Sequence, residues 1–154
     1  MGKDELAAYL AAIRFLSGRE HCTAELHCKL ANKGFASDCI EAVVERLKQE
    51  HYLSEERFAE FFLRSRIKRG EAPWLAAEKA RMKGAEHGAV AAALHDIEQG
   101  YDAFDACREL LSQRDPGRRY CNDERQWQRQ ARFLRNKGYD AATILRVLNE
   151  RPEE

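Results

Sequence analysis

The chain has 154 residues, of which 44% are hydrophobic and 34% charged; that is the length of one average domain with enough apolar material for a core. Twenty-six basic and 26 acidic residues leave a formal net charge of zero, which excludes a uniformly basic polyanion binder. Nine glycines and three prolines are too few for a turn-rich β architecture or a long flexible linker.

The first segment spaces Leu6, Leu10, Ile13 and Phe15/Leu16 by three and four, which predicts an amphipathic helix over 4–17 behind Asp4. Its apolar run, Leu6–Ile13, is eight residues long, far below the ~20 needed to span a bilayer. Lys3-Asp4-Glu5 before it is not the basic start of a signal peptide. The expectation is a cytoplasmic protein with no membrane association. The cysteines Cys22, Cys28, Cys39, Cys107 and Cys121 are odd in number and scattered, so reduced thiols are expected rather than a disulfide framework.

A helix over 23–33 opens at Thr23 and carries Leu26 and Leu30; one over 38–50 carries Ile40, Val43, Val44 and Leu47, with Asp38 and Glu41 at reciprocal-cap spacing. Ser54 opens a helix over 55–69 that carries Phe58, Phe61 and Phe62, with Glu55 and Glu56 suited to its first turn. Pro73 suits the first turn of a helix over 73–83, and Val90, Leu94 and Ile97 mark one over 87–98. Asp102 and Asp105 open 103–113, which holds Phe104, Cys107, Leu110 and Leu111. Asp123 with Gln126 opens 124–137, and Asp140 opens 140–150 with Ile144, Val147 and Leu148. No segment alternates long enough to compete as a strand. The fold class is all-α.

Stop signals recur as Lys33-Gly34, Lys83-Gly84 and Lys137-Gly138, each followed by Phe35, Ala85 or Tyr139. Glycine past a helix end takes the left-handed conformation cheaply. These glycines lie 50 and 54 residues apart. The chain therefore reads as three tandem three-helix repeats, 1–53, 54–101 and 102–154, elongated because each unit is too small to bury a core without its neighbours.

Counting by segment dissolves the neutrality. Residues 1–53 hold 7 basic and 8 acidic side chains, 54–83 hold 8 and 5, 84–112 hold 1 and 6, and 113–154 hold 10 and 7. Two basic segments flank an acidic one. The densest basic run is Arg64, Arg66, Lys68 and Arg69; a second set, Arg125, Arg129, Arg132, Arg135 and Lys137, follows one broad helical face. Such faces engage phosphates or an acidic protein surface.

Catalytic signatures are missing: there is no Gly-rich phosphate loop, no Gly-x-Ser-x-Gly and no His-Glu-x-x-His. His21-Cys22 and His27-Cys28 match no common zinc spacing, so no metal and no cofactor are expected. Trp74 and Trp127 read as packing residues beside the basic segments.

One ordered set of motifs carries a resemblance. Glu20-His21-Cys22-Thr23-Ala24-Glu25-Leu26, Lys29-Leu30-Ala31-Asn32-Lys33-Gly34-Phe35, Tyr52-Leu53-Ser54-Glu55-Glu56-Arg57-Phe58-Ala59 and Ser65-Arg66-Ile67-Lys68-Arg69-Gly70 together resemble the RecX family of bacterial recombinase regulators. The likeness spans most of the chain and is strongest over 13–85. It departs after Gly70, where Glu71-Ala72-Pro73 replaces the family's aromatic, glycine and proline, and at Lys83-Gly84-Ala85, where the family ends Lys-Gly-Ile.

The resemblance implies a non-enzymatic modulator that binds the RecA–DNA filament and restrains its growth, ATPase and strand exchange in recombination, DNA repair and the SOS response. It further implies a monomer that meets single- and double-stranded DNA weakly or through the filament. Arg64, Arg66, Lys68, Arg69, Arg125, Arg129, Arg132, Arg135 and Lys137 are the candidate binding residues. The alternatives are a free-standing helical DNA-binding module and a thiol- or metal-dependent activity around Cys22 and Cys28.

Overall fold

A computed structural model describes residues 2–150. The chain forms α1 (Lys3–Gly18), α2 (Thr23–Asn32), α3 (Ser37–Gln49), α4 (Glu55–Lys68), α5 (Pro73–Met82), α6 (His87–Glu98), α7 (Ala103–Arg114), α8 (Glu124–Asn136) and α9 (Ala141–Leu148). One 3-10 turn, Arg119–Cys121, lies between α7 and α8, and no strand occurs among the described residues. The all-α, three-by-three order is the one the spacing predicts. Residues 151–154, the end of the expected third repeat, lie outside the described residues.

Several helix starts follow the sequence signals. Ser54, Asp102, Asp123 and Asp140 each accept a backbone N–H of their own first turn, and Pro73 occupies the first position of α5. Three expected caps are corrected. Gly2 precedes α1 while Asp4 sits inside it, Cys22 precedes α2 with Thr23 already helical, and Ala36 precedes α3 with Asp38 in its first turn. Glu86, not marked beforehand, caps α6 through Gly88 and Ala89.

Helix ends share one device. At Gly34, Gly84 and Gly138 (φ 93°, 92° and 98°) the next residue's N–H reaches back to Leu30, Ala80 or Leu134. These are the paired reverse bonds that close a helix with a left-handed residue.

Each trio of helices surrounds its own core. Ala8, Leu26, Leu30, Ile40, Val43 and Leu47 fill the first unit. Phe58, Phe62, Leu63, Ala76, Ala80 and Val90 fill the second, and Cys107, Leu111, Leu134, Ile144, Val147 and Leu148 the third. The predicted stripe on α1 is corrected: Leu6 and Leu10 are 48% and 58% exposed, and Ala8 and Ala12 face inward. Alanines on that face let α1 approach α2 and α3 closely, which leaves the bulkier leucines outside.

The units join at helix termini rather than along broad faces. Cys22 belongs to the core of the second unit and Ala72 to the core of the third, so each of the first two units plugs the start of its second helix into the next. In the first joint the Cys22 thiol lies 3.6 Å from the Lys83 carbonyl, and Gly84 leaves room beside the Ala24 methyl. In the second, Ala72 N–H donates to the Lys137 carbonyl at 2.7 Å and Trp74 Nε1 to the Gly138 carbonyl at 2.6 Å.

Candidate functional site

The first predicted cluster ends α4, and the structure divides it. Arg64 pairs with Glu60 at 3.1 Å, one turn back on the exposed face. Arg66 reaches Glu71, which lies buried at the α4–α5 corner and also holds Lys79 at 2.6 Å. A buried carboxylate needs such counter-charge, so Arg66 serves the fold. Lys68 and Arg69 are exposed and carry no ion pair among the described residues.

The second predicted cluster is different. Arg125, Arg129, Arg132 and Arg135 are all exposed on α8, and none has an ion-pair partner among the described residues. Elsewhere Arg19, Arg46, Arg57, Arg81 and Arg108 each meet a carboxylate. Four positive charges without an ion-pair partner among the described residues thus share one helix face, which spans about 15 Å from Arg125 to Arg135 at 1.5 Å per residue. Like charges three and four apart weaken an isolated helix. Asp123 capping and the burial of Leu134 hold α8 in place against that cost.

The two basic clusters meet where Lys137 approaches the end of α4. Lys137 Nζ donates to the Arg69 carbonyl at 3.4 Å, while Lys137 also lies over the Phe133 ring. Lys68 and Arg69 line one mouth of this seam with Tyr101 and Tyr139 behind them, whose hydroxyls are 3.1 Å apart. Burial pushes the Tyr139 hydroxyl well above the ordinary tyrosine value, so it stays a proton carrier rather than a charge.

Around α8 the stripe borders two concavities. On one side Arg132 and Arg135 rim an apolar groove of about 570 Å³ between α8 and α9, floored by Trp127, Ala131, Ile144 and Leu145. On the other, Arg129 joins Arg114 and Arg119 around a polar pocket of about 280 Å³. Arg114, the last residue of α7, and Arg119, in the 3-10 turn, were missed because no single helical period groups them with Arg129. The only signal was their density in Arg114-Asp115-Pro116-Gly117-Arg118-Arg119.

The histidine–cysteine pair does not converge. His21 is buried, with Nδ1 3.0 Å from the Arg19 carbonyl and Nε2 2.8 Å from Lys29 Nζ. Lysine can only donate, so Nε2 accepts and Nδ1 carries the proton. Burial lowers the His21 pKa and keeps the ring neutral. Cys22 is buried and Cys28 exposed, and no three metal-ligating side chains gather among the described residues. Burial likewise pushes the Cys107 thiol up to about 11, the behaviour of a small core residue.

Among the described residues, nine helices in three consecutive trios, joined at helix ends and bearing an arginine face with no ion-pair partner there, define a tandem helical-repeat protein. Residues 8–47 match the first three-helix domain of RecX. The chain is 37% identical over 134 residues to the regulatory protein RecX of Halorhodospira halophila, covering 87% of this chain and 81% of that one. It is 36% identical to the RecX of Ectopseudomonas mendocina over 94% and 95% of the two chains. The crystal structure of RecX from Lactobacillus salivarius superposes with a TM-score of 0.74 at 19% identity over 96% of each chain. The chain belongs to the RecX family of regulatory proteins.

Proposed function

We propose that the protein regulates a RecA-type recombinase by seating on its DNA-bound filament, and that it restrains the recombinase's ATPase and strand exchange without catalysis of its own. The observation that carries this reading is the α8 face, where four arginines stand without carboxylate partners among the described residues. A folded protein gains nothing internally from such a stripe, and a surface of phosphates and carboxylates neutralises it. The units 1–53, 54–101 and 102–154 present that face on an extended body. Lys68, Arg69 and Lys137 continue it across the seam, while Arg64 and Arg66 contribute less because their charge is already matched. The protein acts as a monomer in the cytoplasm and meets single- or double-stranded DNA weakly or through the filament. No helix among the described residues is long and apolar enough to cross a membrane.

The test is the DNA-dependent ATPase of the cognate recombinase as this protein is titrated in. Stoichiometric protein lowers the rate, and Arg125→Ala/Arg132→Ala/Arg135→Ala raises the half-inhibiting concentration at least tenfold while circular dichroism stays unchanged. An ATPase rate that does not respond to the unaltered protein overturns the reading.

A further inference from the structure

The first two units offer corresponding residues to the unit that follows. Cys22 and Ala72 stand twelve residues before Gly34 and Gly84, and Glu25 and Leu75 stand nine before them. These places are occupied: Cys22 meets the Lys83 carbonyl, Glu25 meets Lys83 Nζ at 3.3 Å, Ala72 meets the Lys137 carbonyl, and Leu75 lies against Gly138. In the third unit the same places hold Gln126 and Arg129, and no unit packs on them among the described residues.

Polar residues replace the docking face. The next place along, filled by buried Leu26 and Ala76 in the first two units, is Gln130, buried and polar. Its Oε1 accepts from Arg114 Nε at 2.9 Å, and the Arg114 guanidinium lies 3.8 Å from the Phe133 ring centroid. Arg114 is thus held by a hydrogen bond and a cation–π contact. The residues between α7 and α8 bring Arg119 to the same concavity, and its walls are Arg114, Asp115, Arg119, Gln126, Arg129 and Gln130.

The charge of this concavity is positive after internal pairing. Asp115 is the one carboxylate in the wall among the described residues; it is buried, and its Oδ2 accepts the Tyr120 N–H at 3.1 Å. Against it stand three exposed guanidiniums, none with an ion-pair partner among the described residues. Arginine's planar fork matches phosphate oxygens. A polar wall offers no anchor to an apolar peptide side chain, which separates this pocket from the groove on the other side of α8. Arg125 and Arg132 extend the positive track along α8 for roughly 10 Å, enough for more than one phosphate of a strand that rises 3.4 Å per nucleotide.

We propose that the pocket formed by Arg114, Arg119 and Arg129 holds a phosphodiester of a nucleic-acid backbone, so that the face which docks the next unit elsewhere in the array docks the strand here. This rests on the reading that the protein works on a DNA-bound filament, and it is tested without the recombinase. Binding of a fluorescein-labelled thirty-nucleotide oligo(dT) is followed by anisotropy between about 20 and 200 mM salt, for the full chain and for Arg119→Ala/Arg129→Ala. Each phosphate contact on a single strand contributes about 0.7 to the slope of log K against log salt, so loss of the one pocket phosphate makes the double variant's slope shallower by about 0.7, with weaker binding at the lowest salt and an unchanged circular dichroism spectrum. Arg119→Lys/Arg129→Lys recovers most of the slope, because a point charge still displaces counterions.

An unchanged slope and affinity in the alanine variant overturns the pocket, as does an absence of oligonucleotide binding at the lowest salt. Displacement of the labelled strand by inorganic phosphate at the phosphate concentration of competing unlabelled oligo(dT) points to a free-anion site and also overturns it. The recombinase ATPase is measured on the same variants. Inhibition retained by the alanine variant alongside lost oligonucleotide binding upholds both readings, whereas an ATPase unresponsive to the unaltered chain, with oligonucleotide binding that the alanine variant loses, removes the filament reading alone.

Discussion

His51 closes α3 in the left-handed region, at φ 64°, with Tyr52 N–H bonded back to Leu47. Gly34, Gly84 and Gly138 do the same task elsewhere without a Cβ, and a non-glycine residue there carries local strain. His51 is exposed and its side chain has no hydrogen bond among the described residues. His51→Gly is therefore expected to raise stability by about 0.5–1 kcal/mol, read as a higher urea midpoint at constant m. Two other residues contribute to the response to acid. Burial alone would raise the Glu25 carboxyl, but the two-pronged Arg19 contact (2.9 and 2.7 Å) and Lys83 hold it at about 2. Its folded value lies below the usual 4.5, so it stabilises the fold above that pH and the stabilisation is lost as pH falls from 4.5 toward 2. Neutral, buried His21 acts in the same direction: below its unfolded value near 6.5 the unfolded chain takes up a proton that the folded ring resists. Stability measured by denaturant at pH 7, 5.5 and 4 should fall stepwise, and Glu25→Gln should flatten the limb below pH 4.5.

Between helices, a few tight approaches carry the joints. A Cβ on Gly84 would stand 2.7 Å from the Ala24 Cβ in the preceding unit, whereas a Cβ on Gly34 meets nothing within 4 Å. Both glycines have positive φ, so alanine costs about 1–2 kcal/mol of backbone strain at either place. The contact adds a second penalty only at the joint. Gly84→Ala is expected to lose at least about 1 kcal/mol more than Gly34→Ala in thermal or chemical unfolding; equal losses would show that the joint yields freely. Glu55 shows why such ties escape a reading of the sequence. Its position in the first turn of α4 suggests only a favourable dipole contact, yet its two oxygens accept from Thr23 N–H of α2 and Glu86 N–H before α6 at 2.8 and 3.0 Å. One side chain thereby satisfies backbone donors in two units. Nothing in local spacing encodes partners 31 and 32 residues away.

At the scale of the molecule, the accessible surface is 9891 Å² for 17.7 kDa, against roughly 7,900 Å² for a compact monomer of that mass. Three small cores joined end to end leave more surface than one core of the same volume. Small-angle scattering should therefore return a radius of gyration above the about 15 Å of a compact chain of 154 residues; a value at the compact figure would contradict the serial arrangement. The fold class, the helix order and the glycine-closed ends were legible in the sequence because helical period, cap chemistry and left-handed glycine act over a few residues. The positions of the basic clusters were legible for the same reason. Their standing was not: Arg66 is committed to buried Glu71, Arg64 to Glu60, and the α8 arginines to nothing within the described fold. Pairing depends on which carboxylate folding brings within reach, and Glu71 is placed by the turn between two helices. Likewise, the sequence contained Arg114 and Arg119, but only the packing of α7 against α8 set them beside Arg129. The sequence alone determined three helical units and patterned charge. The tertiary structure decided which charges remain free, because compensation is a property of distance in space and not of order along the chain.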